Sequence, residues 1–320
     1  MPTRRRSLAR LGALGAATLL PPWATGPVQA LTLNGFALRD ALVPADAIEA
    51  GGPPRDGIPA IDRPRFVDAA RSGLRDDDRI LGLVRGGLAR AYPVRILNWH
   101  EIVNDRLGDD AVAVTYCPLC GTGMAFDARV GGAVASFGVS GLLYNSDVLL
   151  YDRGTESLWS QIMARAIAGA LKGTALQPLP LTHTSWAGWR LRHPRSEVLS
   201  TDTGHRRDYD RDPYAGYATS PALMFDVQHR DERLPAKAWV LGLRIGDEAK
   251  AYPFDLLAQR VGADGRLVDR VGAKVVHIRY DAAHRSAEAF DAEGRALPAV
   301  AAFWFAWVAF HPRTQLLAPR

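Results

Sequence analysis

The fold is decided by the stretch LGLVRGGLARAYPVRIL at residues 81–97, which recurs as LGLRIGDEAKAYPFDLL at residues 241–257. Leu-Gly-Leu, Ala-Tyr-Pro and the closing Leu match at an offset of 160 residues. Two further pairs of segments match in the same order, 116–127 with 280–291 and 186–199 with 304–317. Three ordered matches predict an internal duplication. The final offset of 118 residues leaves 46 extra residues in the first copy, after Asp127.

This repeat predicts an α+β, strand-rich fold, in which two related β-rich lobes pack as one body and carry short helices. Gly86-Gly87 favours a hairpin turn, and the alternating, β-branched stretch Val112–Tyr116 favours a strand. The predicted order is a signal peptide (1–30), a wrapping segment (31–79), lobe 1 (80–200, with an insert at about 128–175), a linker (201–238) and lobe 2 (239–320).

Composition limits the class of protein. The chain has 320 residues, of which 48% are apolar and 23% charged, which supports a full hydrophobic core and excludes a disordered, collagenous or coiled-coil chain. Two cysteines are too few for a disulfide-stapled scaffold. Each apolar run is far shorter than the roughly 20 residues that a membrane helix needs.

Residues 1–30 have the pattern of an export signal. The charged start RRRSLAR is followed by the apolar stretch LGALGAATLL and by Val28-Gln29-Ala30, where a signal peptidase expects small residues. The paired arginines resemble a twin-arginine signal, with an ordinary secretory signal as the alternative. Without these residues, Lys plus Arg falls from 39 to 35, against 34 Asp plus Glu. We therefore predict a periplasmic or extracellular protein that has no transmembrane anchor and does not bind nucleic acid.

The two cysteines, Cys117 and Cys120, stand in TYCPLCGTG and allow three interpretations. A thioredoxin-type redox pair needs a helix after the motif, whereas Gly121 and a strand-like segment follow here. A disulfide across four residues would contribute only about 2 kcal/mol by chain entropy. A metal knuckle uses Pro118 and Gly121 to shape the turn that presents both thiolates. Histidine or carboxylate must then complete the metal site.

The repeat also selects the histidine for this site. His193 matches His311, and both precede Pro-Arg, so shared packing explains them. His100, in NWHEIVND, aligns with Arg260 and belongs to the first copy alone. We therefore predict His100 as the third metal ligand; a capping or surface role for His100 is the alternative, and His183 and His205 are weaker candidates.

Residues 137–161, FGVSGLLYNSDVLLYDRGTESLWSQ, lie largely in the predicted insert and are rich in recognition side chains. Inserts beside a scaffolded site often supply substrate contacts. The alternative is a plain hairpin whose Asp152 and Arg153 form a surface ion pair. The residues predicted to line the pocket are Trp99, Glu101, Tyr144, Asn145, Ser146, Asp147, Asp152 and Arg153.

Five long strings resemble the domain of unknown function 3179 family from about Gly51 to Leu317. The resemblance rests on Asn98–Glu101, Cys117–Gly121 and Tyr144–Asp147, together with GGPPRDGIPAIDRPRF and RDYDRDPYAGY. The family name states no activity, so the resemblance implies no mechanism.

The leading functional hypothesis is an exported soluble metal-binding protein, either a metalloenzyme or a metal-handling protein. Two thiolates and an imidazole suit copper or zinc. The first alternative is a thiol-disulfide oxidoreductase that uses Cys117 and Cys120, and the second is a binding module without chemistry. The predicted partner is a small molecule or a redox or metal partner.

Overall fold

Glycine turns and prolines set the local structure of the chain, for which the computed structural model describes residues 31–319. Gly86 and Gly87 have φ of 54° and 80°, the left-handed pair that a two-residue hairpin turn requires. Pro93 then ends a strand and begins a helix, because its fixed φ of −63° suits a helix start and it has no N–H to satisfy. Pro253 repeats this arrangement.

Short strands make up most of the secondary structure. In chain order they are β1 (Thr32–Leu33), β2 (Phe36–Ala37), β3 (Ile48–Ala50), β4 (Phe66–Asp68), β5 (Arg79–Arg85), β6 (Leu88–Pro93), β7 (Ile102–Leu107), β8 (Asp110–Cys117), β9 (Thr122–Asp127), β10 (Arg129–Val130), β11 (Ala133–Val134), β12 (Phe137–Tyr144), β13 (Asp147–Asp152), β14 (Leu158–Ser160), β15 (Arg165–Ala168), β16 (Gln177–Leu179), β17 (Thr182–Ser185), β18 (Glu197–Leu199), β19 (Trp239–Ile245), β20 (Glu248–Pro253), β21 (Arg266–Val271), β22 (Lys274–Asp281), β23 (Ser286–Phe290), β24 (Ala296–Leu297), β25 (Val300–Phe303) and β26 (Gln315–Leu316). The four α-helices found within residues 31–319 are α1 (Val94–His100), α2 (Trp186–Arg192), α3 (Phe254–Arg260) and α4 (Trp304–Phe310).

Over the described residues, five sheets of four or five strands form a five-blade arrangement like a β-propeller. Their strand orders are β17-β5-β6-β18-β4, β16-β9-β8-β7, β15-β14-β13-β12-β3, β25-β19-β20-β26 and β21-β22-β23-β24. We call the sheet β16-β9-β8-β7 the cysteine blade, the sheet β15-β14-β13-β12-β3 the hairpin blade, and the sheet β21-β22-β23-β24 the counterpart blade.

The prediction of two duplicated lobes is wrong, although the strand-rich composition with short helices is confirmed. Strands β12 to β15, within and beside the predicted insert, build most of a blade of their own. Residues from both halves share one apolar cluster, which contains Cys117, Trp159 and Trp304. The Phe303 N–H also donates to the Cys120 carbonyl oxygen at 2.9 Å. A small sheet must cover its faces with neighbouring elements, and here those neighbours come from distant parts of the chain.

Tryptophans on two helices pack directly against strand glycines. A Cβ atom on Gly82 would lie 2.2 Å from the Trp189 ring, and one on Gly242 would lie 2.2 Å from the Trp307 ring. Only glycine allows an indole to approach the backbone this closely. These contacts fix α2 on β5 and α4 on β19.

None of the helices described between residues 31 and 319 has the length and apolar character that a membrane crossing requires. The predicted signal peptide at residues 1–30 lies outside the described residues.

Candidate metal centre

The tip of the β12–β13 hairpin delivers a carboxylate into the protein interior. Asn145 and Ser146 have φ of 53° and 65°, and they join Tyr144 to Asp147 in a two-residue turn. Both residues are buried, and Asp147 has no exposed surface. Left-handed backbone at both central positions is typical of the type I′ turn, and asparagine tolerates it well.

The segment 225–228 holds this hairpin tip. Asn145 Oδ1 accepts a hydrogen bond from the Gln228 N–H at 2.8 Å, and Tyr144 Oη donates to Gln228 Oε1 at 2.9 Å. Ser146 Oγ donates to the Phe225 carbonyl oxygen at 3.2 Å. A buried turn with unpaired polar groups would be costly, so these contacts allow the tip to enter the interior.

The cysteine turn, residues 117–121, joins β8 to β9 and meets the hairpin tip. Cys117 and Cys120 are free thiols with relative exposures of 1% and 0%. Their sulfurs lie 3.6 Å and 3.4 Å from the Ser146 carbonyl oxygen. Gly121 closes the turn at φ 64°, and a Cβ atom there would lie 2.8 Å from the Trp239 ring. The turn is therefore fixed on both sides by packing.

Cys117, Cys120 and Asp147 form a group that could hold a metal ion. One ligand atom from each lies within 4.8 Å of the others, and this is the one such group among residues 31–319. Asp147 Oδ2 accepts from the Ile162 N–H at 3.0 Å, while Oδ1 has no hydrogen-bond partner in the described structure. A buried acceptor without a donor is costly, and a coordinated cation would satisfy it.

Burial favours the protonated forms of Asp147 and Cys120 when no cation is present. Burial raises the pKa of Asp147 to about 8, although the hydrogen bond from Ile162 opposes the rise. The pKa of the Cys120 thiol is raised well above its usual value, first by burial and then by its contact with Cys117. Burial and the nearby Asp147 charge raise the pKa of Glu101 to about 8. A divalent cation would reverse this balance by stabilising the ionised forms.

The family described as Protein of unknown function (DUF3179) matches residues 55–314. The chain belongs to the DUF3179 family. No curated protein and no solved structure matches the chain. The matched region contains Cys117, Cys120 and Asp147, so the metal group lies inside the DUF3179 part of the chain.

His100, which the sequence predicted as the third ligand, does not belong to the metal group of this DUF3179 chain. It is fully buried, and its Nδ1 lies 2.7 Å from the Pro59 carbonyl oxygen. Because a carbonyl only accepts, Nδ1 carries the proton and Nε2 accepts from Tyr209 Oη at 2.7 Å. Burial lowers the pKa of His100 to about 4. Both nitrogens are thus used in packing α1, and Asp147 takes the place in the group that was predicted for His100.

An unusual backbone conformation holds Glu101 within electrostatic reach of Asp147. Its φ of 57° and ψ of −30° end α1, where its N–H donates to the Leu97 carbonyl oxygen at 2.7 Å. Its own carbonyl oxygen accepts from the Tyr116 N–H at 2.7 Å, which ties it to β8. Left-handed backbone costs a non-glycine residue roughly 1–2 kcal/mol, so surrounding contacts hold Glu101 in place.

Three residues predicted to line the pocket have other partners. Trp99 Nε1 donates to the Arg211 carbonyl oxygen at 3.2 Å. Asp152 accepts from Trp159 Nε1 at 3.0 Å inside the hairpin blade. Arg153 pairs with Asp56 and Asp62 at 3.3 Å each, so it does not pair with Asp152. None of these contacts includes Cys117, Cys120 or Asp147.

Each of the two matched histidines, His193 and His311, packs its ring against a tryptophan four residues earlier in the chain. The His193 ring lies 4.1 Å from the Trp189 ring, centroid to centroid, and His311 lies 4.0 Å from Trp307. The His205 ring is tilted by 45° against the His100 ring, with centroids 5.3 Å apart.

Proposed function

We propose that this DUF3179 protein binds one transition-metal ion, zinc in the first place, through Cys117, Cys120 and Asp147. The observation that carries the proposal is the closeness of their ligand atoms, within 4.8 Å, in a buried site. Two thiolates match the softness of zinc and copper(I), and the harder carboxylate favours zinc over copper(I).

Three protein ligands leave a fourth position of a tetrahedral zinc free. Structural zinc sites have four protein ligands, whereas catalytic sites keep one position for water or substrate. The proposed centre is therefore suited to catalysis or to handing the metal to a partner. Export of the protein, predicted from residues 1–30, remains part of this proposal.

The redox alternative has weaker support in the structure. Strand β9 follows the cysteine turn, where a thioredoxin-type pair has a helix that lowers the thiol pKa. Burial acts in the opposite direction and raises the pKa of Cys120, which reduces its thiolate fraction. Both features favour a metal-binding site over a thiol-disulfide redox pair.

The test is zinc binding to the purified protein, measured by competition with a chromophoric chelator alongside a free-thiol count. We expect one zinc per chain. Structural zinc contributes about 10–16 kcal/mol, so losing one of three ligands should cost about 3 kcal/mol, or at least 100-fold in affinity. Cys117→Ser and Asp147→Asn should both show this loss.

Asp152→Asn is the matched control. Asp152 is a buried aspartate on β13, the strand that also carries Asp147, but it accepts a hydrogen bond from Trp159 and lies outside the metal group. It should keep wild-type zinc affinity, with circular dichroism confirming the fold of each variant. Equal zinc affinity in the wild type, Cys117→Ser and Asp147→Asn would refute the proposal.

A further inference from the structure

A cavity of about 430 Å³ lies between the counterpart blade and the sheet that contains β5 and β17. Small-molecule pockets have volumes of roughly 300–1,000 Å³, so this cavity is large enough for a ligand. Much of its wall is apolar and comes from both sheets and from α2. The apolar side chains of the wall include Val84, Leu181, Trp189, Ala287, Ala289 and Leu297.

One carboxylate and two guanidiniums form the polar side of this cavity. Arg192 Nη1 and Arg279 Nη2 each donate to Glu288 Oε2 at 2.7 Å. Thr182 Oγ1 donates to Glu288 Oε1 at 2.6 Å. Burial acts to raise the pKa of Glu288, but the charges of the two arginines and the Thr182 hydrogen bond outweigh it and lower the pKa. Glu288 is therefore ionised at neutral pH.

The charges on this polar side do not balance. Among residues 31–319, Arg192 and Arg279 pair with no carboxylate within 4.0 Å other than Glu288. Arg85 also lines the cavity, but it is paired with Asp110 at 3.0 Å. Two guanidiniums around one carboxylate leave one positive charge without a counter-ion.

Each of the two arginines keeps a terminal nitrogen for a further acceptor. Within the described part of the chain, Arg192 Nη2 and Arg279 Nη1 donate to no protein acceptor. The two side chains are 31% and 40% exposed, so a ligand can reach them. His193 lines the cavity as a neutral ring, because burial, and then the Arg192 charge, lower its pKa.

The packing of α2 does not require the charge of Arg192. Helix α4 makes the same tryptophan–histidine contact as α2, with ring centroids 4.0 Å apart instead of 4.1 Å. The residue before the histidine is Phe310 after α4 and Arg192 after α2. An apolar residue at this position therefore allows the same contact, and the charged group of the cavity needs another explanation.

We propose that this cavity binds a short aliphatic carboxylate, with its carboxylate group against Arg192 and Arg279 and its chain against the apolar wall. One unbalanced positive charge calls for a monoanion, and guanidinium N–H groups match the oxygens of a carboxylate. The apolar wall favours a hydrocarbon chain over an inorganic anion. The cavity shares no residue with the metal group, so the inference goes beyond the proposed function.

The test is a calorimetric titration of the chelator-treated full chain with octanoate and with octanol, which have chains of equal length. We expect saturable binding of octanoate, at least about tenfold tighter than that of octanol, which is the size of one charge-assisted hydrogen bond. Affinity should also rise about fourfold with each methylene from butanoate to octanoate, because the chain becomes buried.

Two variants place the binding at the arginines. Arg192→Gln and Arg279→Gln should each weaken octanoate binding by at least about tenfold and leave octanol binding unchanged. Arg190→Gln is the matched control. Arg190 lies on the same helix and pairs with Asp76 at 2.9 Å, but it does not line the cavity. This control should keep wild-type affinity for octanoate.

The inference is overturned if octanoate shows no saturable binding, or if octanoate and octanol bind the wild type equally well. These wild-type results decide the question even if an arginine variant fails to fold. Wild-type octanoate affinity in both folded arginine variants would also overturn it. Octanoate binding that appears only after zinc is added would place the carboxylate on the metal, which rejects the cavity and leaves the metal proposal standing.

Discussion

The cysteine turn and its counterpart, residues 281–285, occupy equivalent places in two sheets of the same strand order, β16-β9-β8-β7 and β24-β23-β22-β21. Strand β8 is buried from Ala111 to Cys117, and the turn after it is buried as well. Strand β22 alternates between buried and more exposed positions, and the turn after it faces solvent.

The difference comes from what covers each turn. The hairpin tip at Ser146 packs against both cysteine sulfurs, whereas the counterpart turn meets a neighbouring strand at its edge, where His284 Nδ1 lies 2.8 Å from Ser185 Oγ. Burial raises the cost of charge and removes water. The turn in the cysteine blade can therefore present metal ligands in a dry site. The equivalent turn in the counterpart blade only makes a surface contact.

The largest difference that we expect between the turns is in thiol reactivity. In metal-free protein, Cys117 and Cys120 should react with an aromatic disulfide reagent at least about 1,000-fold more slowly than a thiol at the equivalent exposed position, because core groups react only after an opening reaction. Asp281→Cys supplies that thiol. Stopped-flow absorbance should show one fast and two slow thiols.

Denatured protein is the control, since all three thiols must then react at similar rates. If Cys117 and Cys120 react as fast as the thiol of Asp281→Cys in the native state, the cysteine turn is open to solvent. The redox alternative would then regain support.

The next effect concerns the last residue of each turn. Gly121 and Arg285 both have left-handed backbone, with φ of 64° and 45°. Gly121→Ala should lower the free energy of unfolding by about 3 kcal/mol, from backbone strain and from overpacking against Trp239. Arg285→Gly should change stability by less than about 1 kcal/mol, because relief of strain offsets the loss of chain rigidity. Urea unfolding measures both variants.

Equal losses in Gly121→Ala and Arg285→Gly would mean that the two turns are equally constrained, and the comparison would fail. A larger loss in Gly121→Ala together with unchanged secondary structure would show that the cysteine turn is the more constrained of the two turns.

Local features were predictable from sequence because neighbouring residues determine them. The Gly86-Gly87 hairpin follows from backbone preferences, and the cysteine turn between two strands follows from the glycines around it. The interpretation of His193 and His311 as structural stays a prediction, which their contacts with Trp189 and Trp307 support.

The third metal ligand and the arrangement of the sheets could not be predicted in this way, because both depend on contacts between distant parts of the chain. Asp147 reaches the cysteines only because the hairpin blade packs against the cysteine blade, which is a long-range contact. His100 is close to the cysteine turn in sequence, but its nitrogens bond to Pro59 and Tyr209, far away in the chain. The repeat predicted two lobes because it detects similar segments and says nothing of which sheets become neighbours.

The smallest expected difference between the turns is in the pH dependence of stability. Asp147 and Glu101 have folded pKa values of about 8, above those of an unfolded chain, so the metal-free folded protein keeps protons that the unfolded chain releases. Their contribution is full below about pH 4 and is lost as the pH rises through 8. Each of the two groups should lower the unfolding free energy by about 1.4 kcal/mol between pH 6 and 7, roughly 2.7 kcal/mol together.

Asp147→Asn should flatten this slope in chelator-treated protein, whereas Asp281→Asn on the exposed counterpart turn should leave it unchanged. Saturating zinc should reverse the sign, because metal binding displaces the protons and therefore strengthens as the pH rises. Thermal unfolding at several pH values measures all three conditions. If the unfolding free energy has the same pH dependence in the wild type and in Asp147→Asn, Asp147 does not retain a proton in the folded protein. The chemical difference between the two turns would then depend on the thiols alone.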